Sequence, residues 1–237
     1  MEAGTRFQGQ MVLVTGGTGA LGSAVARAFL QEGANVAVTY RKQQEYDDLR
    51  SAVPADGARL RGHQVDVTNE AEMLRLAASI EAEFRRLDVL VNTAGGYSGG
   101  PKLWEMESAV LERMLDVNLR SAFVSARSVL PILLKQRRGC LINVAAKAAI
   151  DQPAGAGAYA ASKAAAVALM HSLAMDLKGT GIRVNSILPN VIDTAANRRD
   201  MPHADFATWT KPEEIARVIL FLCTPDARPL NGAAIAV

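Results

Sequence analysis

Short apolar runs alternate with longer amphipathic segments along the whole chain. Continuous apolar strands that alternate with helices are typical of a parallel sheet covered by helices on both faces. The predicted strands are Met11–Thr15, Asn35–Tyr40, Leu60–Val67, Asp88–Asn92, Cys140–Val144, Arg183–Leu188 and Ala233–Val237. The predicted helices are Leu21–Glu32, Gln43–Ala52, Glu70–Phe84, Leu111–Gln136, Tyr159–Lys178 and Pro212–Cys223.

Residues at the ends of these helices support the assignment. Gly33 follows Leu21–Glu32 and is suited to ending a helix, and Thr68 is placed to cap Glu70–Phe84. Pro212 stands in the first turn of the last helix, where proline is tolerated. No linker or charge run divides the chain, so we expect residues 1–237 to form a single α/β domain.

Composition and charge exclude several classes of protein. The chain has 49% apolar and 21% charged residues and a net charge of +2, which gives no reason to expect nucleic acid as a partner. No apolar run approaches membrane length and no leader opens the chain, so we expect a cytoplasmic protein without a membrane partner. Cys140 and Cys223 lie in apolar runs as free thiols, and His63 and His203 lack neighbours at metal spacing. We therefore predict no metal site.

A glycine-rich turn lies between the first predicted strand and the first predicted helix. Residues Thr15 to Gly22 read TGGTGALG, and Gly17, Gly19 and Gly22 fit the spacing G-x-G-x-x-G. Small residues let the backbone turn tightly and approach a pyrophosphate, which then sits on the helix N-terminus. The strand–turn–helix context favours this function over a plain connector.

The end of the second predicted strand bears on the choice of cofactor. A carboxylate there would hold the ribose 2′-hydroxyl of NAD, but the sequence continues Tyr40-Arg41-Lys42. Arg41 and Lys42 suit a 2′-phosphate instead, unless both are simply solvated. NADP(H) is therefore favoured, with NAD(H) as the alternative.

A tyrosine and a lysine four residues apart carry the predicted proton chemistry. Tyr159 and Lys163 lie one turn apart on one face of a helix. An ammonium beside a phenol lowers the phenol pKa, which makes a proton donor usable near neutral pH. The spacing alone equally fits an ordinary surface pair.

Several short motifs follow one another along nearly the whole chain. They are Thr15-Gly16…Ala20…Gly22, Asp66-Val67, Asn92-Thr93-Ala94-Gly95, Asn118 within DVNLRS, Tyr159-x-x-x-Lys163 and Pro189…Thr194. In this order they resemble the motifs of the short-chain dehydrogenase/reductase family. The resemblance implies a doubly wound Rossmann fold with a seven-stranded parallel sheet, NAD(P) as the cofactor and a homodimer or homotetramer that pairs the two long helices.

The resemblance also implies roles for individual residues. Tyr159 would donate a proton, Lys163 would tune it and bind the nicotinamide ribose, and Asn118 would hold a water that passes protons to Lys163. The implied cofactor-binding set is Gly16, Thr18, Gly19, Ala20, Leu21, Gly22, Arg41, Asp66, Val67, Asn92, Thr93, Ala94, Gly95, Tyr159, Lys163, Pro189, Ile192 and Thr194.

One position departs from the family pattern. The family's serine, 13 residues before the tyrosine, is replaced by Ala146. Losing such a hydrogen-bond donor typically costs on the order of 3 kcal/mol in the transition state. Either the chain has become a non-catalytic NADP-binding scaffold, or its substrate is already electrophilic.

The segments around Ala146 and after Pro189 resemble the dihydropteridine reductase branch of the family. That branch has alanine at the serine position, and Tyr97 would occupy the place of an aromatic near its substrate, unless Tyr97 only packs in its loop. Asn118 and Arg41 depart from the branch. We therefore expect an NAD(P)H-dependent reductase of an activated small molecule such as a quinonoid dihydropterin, with a ketone or 3-oxoacyl reductase as the alternative.

Overall fold

The computed structural model of the chain describes residues 6–237, so the first five residues of the predicted domain lie outside the described residues. Seven strands form one sheet in the order β3-β2-β1-β4-β5-β6-β7, and all neighbouring pairs are parallel. This confirms the predicted doubly wound sheet. The strands are β1 (Met11–Thr15), β2 (Asn35–Tyr40), β3 (Leu60–Gln64), β4 (Val89–Asn92), β5 (Gly139–Val144), β6 (Ile182–Leu188) and β7 (Ala234–Ala236).

Helices connect the strands and cover the sheet. The predicted helix over Leu111–Gln136 begins earlier, at Ser108, and contains a π-helical turn at Leu115–Arg120. The short helices Ala148–Asp151 and Ala195–Asp200 are not predicted from the sequence. The helices are α1 (Ala20–Gln31), α2 (Gln43–Ser51), α3 (Glu70–Phe84), α4 (Ser108–Met114), α5 (Ser121–Gln136), α6 (Ala148–Asp151), α7 (Gly157–Asp176), α8 (Ala195–Asp200) and α9 (Pro212–Cys223).

Two apolar cores lie on opposite faces of the sheet. Val12 and Val14 of β1 face the core that α1 and α9 cover, where Phe29 is fully buried. Leu13, between them, faces the second core, which α3, α5 and α7 cover. Successive side chains of a strand point to opposite faces, so both must be apolar. This is why the central strands β1 and β4 read as apolar runs, whereas the edge strand β3 is polar and only partly buried.

The long helical stretch Ser108–Gln136 corrects one expectation. By length and composition alone it is apolar enough to cross a membrane, although no such run was expected. However, 56% of its apolar window is buried inside the protein, against the second core. This stretch therefore packs against one face of the sheet as part of the core, and its apolar composition follows from that burial.

The start of α3 differs from the expectation in its capping residue. Asn69, and not Thr68, is the N-cap, since its side chain accepts a hydrogen bond from Glu72 N at 3.2 Å. Thr68 instead donates from its backbone N (2.9 Å) and its hydroxyl (2.8 Å) to Asp66 Oδ1. Both residue types are good caps, and the turn at Asp66 decides between them.

We predict that Asn69→Ala lowers the free energy of unfolding by about 1 kcal/mol, because it removes the only side-chain partner of an orphan helix amide. Thr68→Ala, which removes an exposed hydroxyl bonded to a neighbouring side chain, should cost clearly less. Urea denaturation of the two variants measures the difference. A larger loss of unfolding free energy for Thr68→Ala than for Asn69→Ala would contradict this prediction and favour Thr68 as the capping residue.

Candidate active site

The glycine-rich turn after β1 is shaped to admit a phosphate group. Gly16 has φ of +64°, and a Cβ on it would lie 3.0 Å from the Ala94 Cα, so a side chain there is excluded. Gly22 is buried, and a Cβ on it would collide with Gly16 O. Gly19 is the N-cap of α1 and offers no side-chain oxygen, which leaves the first amides of α1 without a side-chain partner.

A cavity of about 340 Å³ lies beside this turn, at the carboxyl ends of β1, β2 and β4. This is the point where the strand order reverses, where ligands of such sheets bind. The predicted residues that line it are Gly16, Thr18, Gly19, Arg41, Asp66, Val67, Thr93, Ala94 and Gly95. The lining residues that the sequence reading missed are Thr39, Tyr40, Glu45, Val65, Thr68 and Val117.

The glycines and the cavity together fit a dinucleotide. The turn leaves room for a pyrophosphate at the start of α1, and Arg41 and Asp66 line the adjoining cavity. Ala20 is exposed beside the turn, whereas Leu21 is only 8% exposed and supports the first turn of α1 from below.

Asn92 is buried in the sheet, and its predicted packing along the cofactor stays a prediction. Its Oδ1 accepts a hydrogen bond from Thr15 Oγ1 (2.6 Å), and its Nδ2 donates to Asn143 Oδ1 (3.0 Å). These bonds join β1, β4 and β5 at their carboxyl ends. Asn92 therefore joins the strand ends beside the cavity and is not among the residues that line it.

Lys163 and Asn118 meet beside Gly95. A Cβ on Gly95 would lie 2.9 Å from Asn118 Oδ1 and 3.0 Å from Lys163 Nζ, so the two polar groups flank one backbone position. Asn118 also bonds both backbone groups of Gly96, accepting from its N at 2.9 Å and donating to its O at 3.0 Å. The structure thus brings two of the three predicted catalytic residues together.

Ser162 completes this network and was missed in the sequence. Its hydroxyl donates to Tyr159 O (2.7 Å) and accepts from Asn118 Nδ2 (3.0 Å). Ser162 precedes Lys163 directly in α7. Ser162 bonds to Asn118, and Lys163 lies with Asn118 beside Gly95. Ser162 is a positioning residue, because it orients Asn118 and is itself fully buried.

Burial sets the proton affinities of the Tyr–Lys pair. Burial, together with the neighbouring Tyr97, raises the pKa of Tyr159 to about 12. Burial lowers the pKa of Lys163 to about 8, and its ammonium donates to Val144 O at 2.9 Å. The expected lowering of the Tyr159 pKa by Lys163 is therefore wrong for this arrangement, because the ammonium is bonded to β5. Tyr159 is instead held neutral, the protonation state of a proton donor.

Tyr97 stands directly against Tyr159. The two rings meet edge to face with centroids 5.0 Å apart, while Tyr97 keeps 68% of its surface exposed. Its loop is fastened to the segment before α7 by a hydrogen bond from Gly100 N to Gly155 O (2.9 Å). A large exposed aromatic held in this way is accessible from solvent, and its contact with a substrate stays a prediction.

Ala146 follows β5 on the same side of the sheet as this cluster. It is 8% exposed, and the next backbone amide, Lys147 N, donates to Pro189 O at 2.8 Å. The Lys147 ammonium lies 3.4 Å from Asp151 in α6 and is thereby occupied. The segment from Ala145 to Ala149 carries no hydroxyl group.

The segment after β6 encloses the far side of the site. Pro189 is buried, and Ile192 forms a bridge with Thr210 that closes the base of the loop between them. Thr194 caps α8, since its hydroxyl accepts from Asn197 N at 3.1 Å. The predicted contacts of these three residues with the carboxamide side of a nicotinamide ribose stay predictions.

The fold and the site define an NAD(P)-binding α/β oxidoreductase. The short chain dehydrogenase family matches residues 10–204, and the chain belongs to that family. The non-catalytic scaffold is therefore set aside, and the protein is an NAD(P)-dependent enzyme.

Individual relatives agree with this assignment. The chain is 29% identical to 3-oxoacyl-(acyl-carrier-protein) reductase FabG of Thermotoga maritima, covering 98% of this chain and 97% of the relative. It is 31% identical to meso-2,3-butanediol dehydrogenase of Serratia marcescens, with coverages of 98% and 94%. A short-chain type dehydrogenase/reductase from Mycobacterium ulcerans superposes with a TM-score of 0.92 at 26% identity, with coverages of 98% and 89%. These names concern carbonyl and alcohol chemistry, and they do not support the dihydropteridine reductase branch.

We predict that the stability gain from Lys163→Met depends on pH. Burial lowers the pKa of Lys163 from 10.5 in the unfolded chain to about 8 in the folded protein. The unfolded chain therefore binds the proton more tightly, which lowers the free energy of unfolding. This loss of stability is fully present below pH 8 and disappears as the pH rises toward 10.5. The difference in unfolding free energy between variant and wild type should therefore shrink by about 2 kcal/mol from pH 7 to 9.5.

The measurement is urea denaturation of both proteins across this pH range. The lost hydrogen bond to Val144 O shifts the whole curve but not its slope. Lys178→Met, an exposed lysine just past the end of α7, serves as the control and should give a flat difference. A flat difference for Lys163→Met as well would show that the ammonium is not buried in solution.

Proposed function

We propose that the protein reduces an already electrophilic, conjugated acceptor with NAD(P)H, and that a quinonoid dihydropterin is the specific candidate. The observation that carries the proposal is Ala146. At this position a hydroxyl would donate to a substrate carbonyl, and the structure offers a methyl group instead. A conjugated acceptor spreads the charge that arrives with a hydride and depends less on that donor.

The remaining site residues suit this reaction. NAD(P)H, when bound, supplies the hydride. Tyr159, neutral up to a pKa of about 12, holds the proton that the reduced acceptor needs. Tyr97 offers an exposed ring against Tyr159, which suits a flat heterocyclic substrate. Asn118 bonds to Ser162, and Ser162 bonds to the backbone oxygen of Tyr159, so these bonds hold the part of α7 that carries Tyr159 and Lys163 against the Asn118 segment.

A second candidate function is the reduction of a ketone or 3-oxoacyl group, or the reverse oxidation of an alcohol. The relatives named above favour it, because their names describe a 3-oxoacyl reductase and a diol dehydrogenase. Under this hypothesis, the site manages without the hydroxyl at position 146. The two candidates share the cofactor and Tyr159 and differ only in how much the substrate needs a donor at Ala146.

We expect Ala146→Ser to separate the two substrate classes. With a simple ketone, kcat/KM should rise on the order of tenfold or more, because a donor now faces the developing oxyanion. With a quinonoid dihydropterin it should change little. Ala145→Ser adds the same hydroxyl one residue earlier and should help neither substrate.

Steady-state kinetics on one ketone and one quinonoid dihydropterin decides between the candidates. Wild type that turns over the ketone but not the dihydropterin would refute our proposal in favour of the second candidate. Tyr159→Phe should reduce ketone turnover on the order of 10² to 10⁴-fold, because it removes the proton donor. Equal gains on both substrates from Ala146→Ser would mean that the alanine is not an adaptation.

We also propose that the enzyme is a cytoplasmic, single-domain protein that forms a homodimer or homotetramer through its two long helices. Phe123 of α5 is 45% exposed and lies with Leu119 and Leu169 in an open apolar depression between α5 and α7. Glu112, Asp116 and Arg120 rim this depression, a mixture of charges that a symmetric copy can complement. An exposed apolar patch with a polar rim is typical of an interface.

Phe123→Asp is expected to yield a monomer at micromolar concentration, because it places two carboxylates against each other across a two-fold axis. Leu74→Asp on α3 changes an equally apolar side chain, 44% exposed, outside the depression and should leave the oligomer intact. Light scattering of both variants and wild type measures the mass. Monomeric wild type would contradict the proposal.

A further inference from the structure

The cofactor cavity is lined by a carboxylate from α2, although the end of β2 carries no acid. Glu45, in the first turn of α2, lines the cavity together with Arg41. Its Oε2 accepts a hydrogen bond from Thr18 Oγ1 in the glycine-rich turn at 3.1 Å. Its Oε1 lies 3.9 Å from Lys42 Nζ. Two contacts from different elements thus hold the carboxylate between the turn and β2.

Arg41 faces the same cavity with the opposite charge. Within residues 6–237, its guanidinium forms no ion pair, whereas its backbone oxygen accepts from Gln64 Nε2 at 2.9 Å. Asp66, the other acid of the cavity, uses Oδ1 to bind the backbone and hydroxyl of Thr68 and lies one strand further out. The hydrogen bonds from Thr68 and, to a smaller degree, the charge of Arg41 lower the pKa of Asp66, whereas Glu45 is the acid that is bonded to the glycine-rich turn.

We propose that Glu45 is a cofactor-selectivity residue that accepts a hydrogen bond from the ribose 2′-hydroxyl of NAD(H) and repels the 2′-phosphate of NADP(H). The inference rests on the proposed binding of the dinucleotide in this cavity and qualifies the preference for NADP(H) drawn from Arg41. A carboxylate accepts from a hydroxyl but opposes a dianionic phosphate, whereas a guanidinium favours the phosphate. With both present, the enzyme uses both cofactors.

Thr18 makes the carboxylate effective. Its hydroxyl donates to Glu45 and holds one carboxylate oxygen against the turn, although 44% of the Glu45 side chain stays exposed. Lys42 is 79% exposed and only partly offsets the charge of Glu45, because solvent screens a contact of this length. The selectivity is therefore a charge effect that salt should weaken.

Equilibrium binding without an acceptor tests the proposal independently of the reaction. Calorimetric titrations use NADP+ and NAD+, and adenosine 2′,5′-bisphosphate and AMP as probes that differ only in the 2′-phosphate. Glu45→Gln should tighten NADP+ and the bisphosphate on the order of tenfold and leave or weaken NAD+ and AMP, because it removes one negative charge beside the phosphate. Arg41→Gln should do the reverse.

Asp47→Asn is the matched control. It makes the same charge change two residues later on α2, where the carboxylate accepts from Gln43 Nε2 at 2.9 Å and lies outside the cavity lining. It should leave the ratio of the two dissociation constants unchanged, and the gain of Glu45→Gln should shrink at high salt. An unchanged ratio in Glu45→Gln, or an equal shift in Asp47→Asn, would overturn the proposal. Failure of the quinonoid substrate alone would leave it standing.

Discussion

The site depends on one buried charge, the ammonium of Lys163. It lies in α7, inside the protein, and bonds to Val144 O at the end of β5. Removing an ammonium from water is costly, and the lowered pKa of about 8 records that cost. A buried ammonium needs oxygen acceptors, and here Val144 O accepts from it while Asn118 Oδ1 lies on the other side of Gly95. This is why α7, β5 and the segment with Asn118 meet at this point. The polar bonds of Asn118 and Ser162 fix this meeting point.

The position of Ala146 gains its meaning from that arrangement. The site contains a proton donor, an ammonium and an oriented amide, and the segment from Ala145 to Ala149 after β5 adds no hydroxyl group to them. The site can hold and protonate a product, but it does little to polarise a substrate carbonyl. Under our proposal the chemical demand falls on the acceptor, which is electrophilic before it binds. The relatives named as a 3-oxoacyl reductase and a diol dehydrogenase favour the second candidate, in which the site manages without that hydroxyl.

Much of the fold follows from the sequence because both faces of the sheet are buried. Strands buried on both sides must be apolar throughout, so their runs stand out, and the glycine-rich turn marks the switch point. What the sequence could not give depends on contacts between distant elements. Thr68 and Asn69 are both good caps until Asp66 binds one of them. In the sequence Glu45 is one of several acids on a polar helix, and only its hydrogen bond with Thr18 shows that it lies at the cavity. Asn92 fits a cofactor motif, but its register with Thr15 and Asn143 commits it to the sheet.

The two pKa values bear on the protonation states of the pair. A phenol with a pKa of about 12 keeps its proton at physiological pH, so Tyr159 is present as the phenol and not as the phenolate. Alcohol oxidation instead requires the phenolate. That state would need the Lys163 charge to turn from Val144 O toward Tyr159, and near its own pKa of about 8 that charge is already being lost. The pair as it stands therefore presents Tyr159 as a proton donor, the role that reduction requires, whereas a phenolate would first require the Lys163 ammonium to approach the phenol.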